Sequence, residues 1–115
     1  KSGLWSQNRV VIDDGLSQGH ALVTGDFLGL GYDQVVAGWR QKTGEDKKVG
    51  IRLYVPSNKE GSEWKQHAVI DDNKMACEDM KAADLDGDGD LDLVAAGRAT
   101  KNVVIYWNKT IAGPK

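Results

Sequence analysis

Short apolar runs of four to seven residues, each cut off by glycine or polar residues, recur along the whole chain, and none has helical spacing. They are Arg9–Ile12, Ala21–Phe27, Gln34–Trp39, Gly50–Val55, Gln66–Ile70, Met80–Leu85, Leu91–Ala96 and Asn102–Trp107. In the last run Val103, Ile105 and Trp107 alternate with Asn102, Val104 and Tyr106, the period of a strand. Val35-Val-Ala37 and Leu93-Val-Ala-Ala96 are continuous and small, the pattern of strands buried on both faces. The pattern predicts an all-β chain.

The eight runs fall into two copies of four. Trp5-Ser-Gln-Asn-Arg-Val-Val-Ile-Asp-Asp14 matches Trp64-Lys-Gln-His-Ala-Val-Ile-Asp-Asp72, and Ile12 and Asp13 lie 58 positions before Ile70 and Asp71. The spacing holds at Asp26 and Asp84, becomes 59 at Gly38 and Gly97, and falls to 52 at Tyr54 and Tyr106. The charged segment Gln41–Lys48 accounts for the difference. A tandem four-stranded unit with small residues where backbones crowd describes β-propeller blades, here 1–56 and 57–115. An ordinary β-sandwich is the competing architecture. Each copy opens on what reads as an outermost strand, so a neighbouring segment would complete each blade by strand exchange. Closed propellers have about four to eight blades. Two blades therefore predict further ones, either in a parent chain or as copies in a homo-oligomer. The start at Lys1 rather than methionine reads as a processed product or a piece of a longer protein.

Composition narrows the partners. The 115 residues suit one small domain, and 40% hydrophobic with 28% charged residues is globular rather than disordered. A net charge of -2 with no basic stripe argues against nucleic acid. No apolar run approaches the roughly 18 residues of a membrane span. Cys77 is the only cysteine, so no disulfide forms within the chain.

The densest chemistry lies in Asp84-Leu-Asp-Gly-Asp-Gly-Asp-Leu-Asp92, with Asp84, Asp86, Asp88 and Asp92 at positions one, three, five and nine, and the backbone carbonyl of Asp90 at seven. Calcium takes six to eight oxygens at about 2.3–2.6 Å and favours such clustered carboxylates. Gly87 and Gly89 permit the tight coil that alternate ligands need. Without an ion the same segment would be a solvated acidic hairpin. The segment through Val94, flanked by strands rather than helices, resembles the FG-GAP/VCBS repeat of calcium-binding β-propellers, found in integrin-like ectodomains and many secreted bacterial proteins. That resemblance implies a loop joining the two inner strands of a blade, with Asp84, Asp86, Asp88 and Asp92 as side-chain ligands of Ca2+, and an extracellular or periplasmic setting. The first copy departs from the pattern. Asp26-Phe-Leu-Gly-Leu-Gly-Tyr-Asp33 reads as one residue shorter, with Leu28 and Leu30 in ligand positions, and predicts a metal-free loop held by hydrogen bonds and glycine turns.

Other candidates are sparser. His20 and Glu78 are 58 positions apart before inner strands, and with Asp79, Arg40 and Arg98 they would form a polar rim at a propeller channel, binding a sugar or a second metal. The plainer reading makes His20 a turn residue and Glu78 a solvated carboxylate. His67 reads as a surface residue. Trp5, Trp64 and Trp107 read as blade packing rather than a ligand platform, and Trp39 as the least secure of the four. Asn108-Lys-Thr110 matches a glycosylation triplet that also arises by chance. No nucleophile motif, phosphate loop or catalytic zinc motif occurs. The favoured expectation is a calcium-stabilised propeller module for binding or architecture, recognising protein or carbohydrate. The alternatives are part of a secreted carbohydrate-active lyase or dehydratase with a metal-assisted channel site at His20, Glu78, Asp79, Arg40 and Arg98, or a cell-surface adhesion module.

Overall fold

Seven of the eight apolar runs form strands in the computed structural model, which describes residues 5, 8–43, 45 and 47–109. They are β1 (Gly19–Gly25), β2 (Gln34–Thr43), β3 (Lys48–Pro56), β4 (Trp64–Asp72), β5 (Cys77–Ala83), β6 (Asp92–Gly97) and β7 (Asn102–Tyr106). All neighbouring strands are antiparallel, in a four-stranded sheet β1-β2-β3-β4 and a three-stranded sheet β5-β6-β7. Among the described residues neither sheet is closed, and no helix is long and apolar enough to cross a membrane.

The chain is all-β as the pattern predicts, but the expected pair of four-stranded units is corrected to four strands and three among the described residues. The eighth run, Arg9–Ile12, is not a strand. In the first sheet the outer position beside β3 belongs to β4, which opens the second copy, with Leu53 opposite Ala68 and Arg52 opposite Val69. With that edge taken, residues 9–13 run instead over the exposed face of the first sheet, beside Leu22, Val35, Ala37 and Tyr54.

The two sheets pack face to face around Ala21, Val36, Ile51, Leu53, Met75, Cys77, Met80, Leu93 and Ala95, all buried. β5 crosses β1 and β2 most closely. Gly38 makes that approach possible, because a Cβ there would lie 2.6 Å from Cys77 Sγ and 2.7 Å from its Cβ. Burial pushes the Cys77 thiol up to about 11, so it stays neutral and acts as packing. The expectation that β2 and β6 are buried on both faces is only half met. Val36, Leu93 and Ala95 are buried, whereas Val35, Ala37, Val94 and Ala96 on the opposite faces are half-exposed.

Two tyrosine–aspartate pairs join neighbouring layers. Tyr106 donates its hydroxyl to Asp71 Oδ2 at 2.6 Å, linking the second sheet to β4. Tyr54 donates to Asp13 Oδ2 at 2.5 Å, linking the first sheet to the segment that crosses it, and Arg52 donates to the same oxygen at 3.1 Å. Burial raises the Asp13 carboxyl, but the bonds from Tyr54, Gly15 and Arg52 outweigh it and leave the group below its ordinary value. Trp39 is buried, donates its indole N–H to Lys48 O at 2.8 Å and lies under the Arg52 guanidinium at 4.5 Å, so it is a packing residue. Trp64 is half-buried and donates to Gly61 O. Trp5 is exposed, contrary to the packing role expected of it, and Trp107 is half uncovered.

The close approach gives a direct test. Glycine to alanine in a strand is ordinarily stabilising by about 0.5–1 kcal/mol. Gly38→Ala is expected to invert that sign and destabilise by about 1–3 kcal/mol in a denaturant titration, because the strands must part. Gly19→Ala, whose new Cβ meets nothing nearer than 3.9 Å, is expected to keep the ordinary sign and serves as the comparison.

Candidate metal centre

Each sheet has a tight loop between its first two strands, and the two loops share one backbone design. Gly29 and Gly31 have φ of 71° and 89°, and Gly87 and Gly89 have 74° and 93°. Such left-handed angles suit glycine because it has no Cβ to clash. The first aspartate of each loop collects the backbone amides that the coil turns inward. Asp84 Oδ1 accepts from Gly87 N at 2.9 Å and Asp88 N at 3.2 Å, and Oδ2 from Gly89 N at 2.9 Å. Asp26 accepts from Leu30 N at 2.9 Å and Gly31 N at 2.8 Å.

The second loop carries four carboxylates to one place. One ligand oxygen each from Asp84, Asp86, Asp88 and Asp92 lie within 4.8 Å of one another. Among the described residues no other group of three or more histidine, cysteine, aspartate or glutamate side chains gathers in this way. Asp92 opens β6 fully buried, accepting from Leu85 N at 2.9 Å and Asn108 N at 2.8 Å. Asp90 is buried, and its side chain is not part of the four-carboxylate group. The Lys109 ammonium sits 2.9 Å from Asp86 Oδ2 and 3.5 Å from Asp88 Oδ2. Its hydrogen bond holds the Asp86 carboxyl below the ordinary range and raises the lysine in turn. One ammonium against four carboxylates leaves a strongly anionic pocket, and hard oxygen donors of this kind fit a hard divalent cation.

The first loop corrects the sequence alignment. The sequence pattern matches Asp33 to Asp92 in a shorter loop, yet Asp33 is exposed and Gln34 is the residue that opens β2 fully buried. The loops are therefore equal in length, and Gln34 stands 58 positions before Asp92. Gln34 Oε1 accepts from Phe27 N at 2.7 Å, as Asp92 does from Leu85 N. Its Nε2 donates to Asp26 Oδ1 at 3.1 Å and to the carbonyl of Tyr32, the position equivalent to Asp90. The Gln34 amide thus bonds two acceptors in the first loop, one of which, Asp26, has its counterpart Asp84 among the four carboxylates of the second. The first loop is held by hydrogen bonds and glycine turns as expected, through Gln34, which no motif marks.

Asn108 ties the loops together, donating from Nδ2 to Phe27 O at 2.7 Å while its N–H meets Asp92. That Nδ2 is the atom a glycan would need, so the triplet at Asn108 is engaged structurally; Thr110 lies outside the described residues. Asn108 and Lys109 fall just beyond a strand, where no periodicity marks them.

The rim candidates assemble in part. His20 Nδ1 is 3.0 Å from Glu78 O and 3.2 Å from Glu78 Oε2, and Arg40 Nη1 is 3.7 Å from Glu78 Oε1. Arg40, Glu78 and Arg98 line one shallow depression. Asp79 stands apart, exposed and 3.9 Å from Lys81. His67 is exposed beside an apolar cleft between the sheets, as a surface residue should be. Compared with known proteins, the chain matches no family model, no curated protein and no solved structure.

The hydrogen bonds at Asp26 have a pH consequence. The amides of Leu30 and Gly31 and the Gln34 side chain hold its carboxyl below the ordinary 3.8. A folded-state value below the unfolded one gives stabilisation that is full above 3.8 and is lost as pH falls through the folded value. Asp26→Asn is therefore expected to flatten the fall in melting temperature below about pH 4. An acid limb as steep as the parent's contradicts this role.

Proposed function

We propose that the chain is a pair of β-propeller blades of the FG-GAP/VCBS type, stabilised by one calcium ion and serving as a module for protein or carbohydrate recognition. The gathering of Asp84, Asp86, Asp88 and Asp92 carries this reading. The equal loop in the first sheet supports it, because there the same coil is filled by the amide of Gln34 and needs no ion. The ion would stiffen one inter-strand turn and stabilise the folded state by mass action. Asp84, Asp86, Asp88 and Asp92 would hold it, with the Asp90 carbonyl beside them. An extracellular or periplasmic location belongs to the same reading, since free calcium is plentiful there.

A second reading, part of a carbohydrate-active lyase or dehydratase, draws on the contact between His20 and Glu78 with two arginines alongside. An imidazole against a carboxylate is a usable acid–base pair. Among the described residues no third metal-binding side chain joins this pair, so this reading rests more on analogy of fold than the first.

The calcium reading is tested by melting. Added calcium is expected to raise the melting temperature and a chelator to reverse the rise. Asp86→Ala combined with Asp88→Ala removes the response, whereas Asp26→Ala lowers stability but keeps it. A melting curve indifferent to chelator and calcium alike would sink the proposal.

A further inference from the structure

The repeat makes a statement about surfaces that neither sheet makes alone. Positions that form the buried interface between the two sheets recur, one repeat away, on the two faces left exposed. On the second sheet, Met80, Leu93, Ala95 and Tyr106 face the first sheet, and Met80 is 2% exposed. Their equivalents on the first sheet are Leu22, Val35, Ala37 and Tyr54, on its outward face, where Leu22 is 68% exposed, Val35 and Ala37 are half-buried, and Tyr54 is buried against Asp13. In the other direction, Val36, Ile51 and Leu53 face the second sheet, and Leu53 is 5% exposed. Their equivalents Val94, Val103 and Ile105 lie on the outward face of the second sheet, where Ile105 is 44% and Val103 is 73% exposed. The molecule thus carries both halves of its own interface, one on each outer face.

The backbone carries the same complementarity. β4 fills the outer edge of β3, but β7 has no outer neighbour among the described residues. The segment matching β4 in the first copy, Arg9–Asp13, pairs with no strand. It nevertheless sits where an outer strand of an adjoining sheet would sit. Asp13 accepts from Tyr54 as Asp71 on β4 accepts from Tyr106, and each aspartate and each tyrosine is the repeat equivalent of the other. A lone, partly apolar strand-like segment and an open strand edge are complementary features.

From these equivalences we infer that a second copy of the chain docks head to tail. Its first-sheet face at Leu22, Val35 and Ala37 covers Val94, Val103 and Ile105, and its residues 9–13 add a fourth strand along β7. By the register of β3 with β4, Val10 lies opposite Ile105 and Val11 opposite Val104. The contact joins unlike faces, so it repeats from copy to copy until a ring closes. This rests on the repeat reading but not on the calcium ion. With about four to eight blades to a propeller, closure takes two to four chains.

Light scattering of the purified chain is expected to give the mass of a small whole number of chains. Leu22→Asp and Ile105→Asp each remove one face at an exposed side chain, and each variant alone is expected to run as a single chain. Mixed, they retain one good pair of faces and form a species of two chains and no larger. Val103→Asp in place of Ile105→Asp gives the same result. Oxidising a mixture of Val10→Cys and Ile105→Cys chains is expected to link them, since Cα atoms about 4.5–5.5 Å apart across a pair of strands suit a disulfide. A parent chain that stays single at high concentration overturns the inference and leaves the calcium loop standing. So does a mixture that fails to pair, or the absence of the cross-link. Association that grows without closing keeps the docking and removes the propeller.

Discussion

A nine-residue turn that coils tightly between two strands folds its first carboxylate into a small volume, where hydrogen-bond donors or positive charge have to meet it. The first loop meets the demand with Gln34, whose amide donates to Asp26 and to the Tyr32 carbonyl. The second places a fully buried carboxylate, Asp92, in the same position and surrounds it with three more. An amide supplies its own donors, whereas a carboxylate supplies only acceptors. The change of one residue type at an equal backbone position therefore separates a loop closed by its own donors from one whose four carboxylates could hold a cation. Lys109 brings a positive charge to that cluster from outside the loop.

The rest of the fold positions this turn. β6 begins at Asp92 because the loop ends there, and Asn108 beyond β7 joins Asp92 to the neighbouring loop at Phe27. The second loop is thereby fastened to the first across the interface between sheets. That interface depends in turn on Gly38, which lets β5 cross β2 at a distance no side chain would permit. A cation at the acidic turn would stiffen the strand ends that make this contact, so its effect would be felt as stability of the pair rather than of one hairpin.

Most of the architecture was legible from alternation and repetition, because strand period and matched landmarks such as Ile70-Asp71 survive in the sequence as written. The run Arg9–Ile12 misled for a physical reason: it has the composition of a strand, but β4 already holds the outer edge of β3, and the run lies over the face of the first sheet instead. The equivalence of Gln34 and Asp92 was hidden because alignment by residue type prefers Asp33, the nearer carboxylate. Only the shared burial and the matching bond to the second residue of each loop reveal it. The acidic cluster was readable from spacing alone, since alternate aspartates between glycines have few other structural uses. Lys109 was not, because a lysine after a strand has no pattern to distinguish it from any surface lysine. Of the rim residues, His20, Glu78, Arg40 and Arg98 converge while Asp79 turns away, a difference of one residue in strand phase that sequence placement near a strand end leaves open.

The asymmetry of the two loops is the central claim, and calorimetric titration of the purified chain with calcium measures it most directly. The account predicts one binding site per chain, lost on Asp92→Asn and untouched by Asp33→Asn. Two sites per chain, or heat of binding that persists in the Asp92→Asn variant, would contradict it.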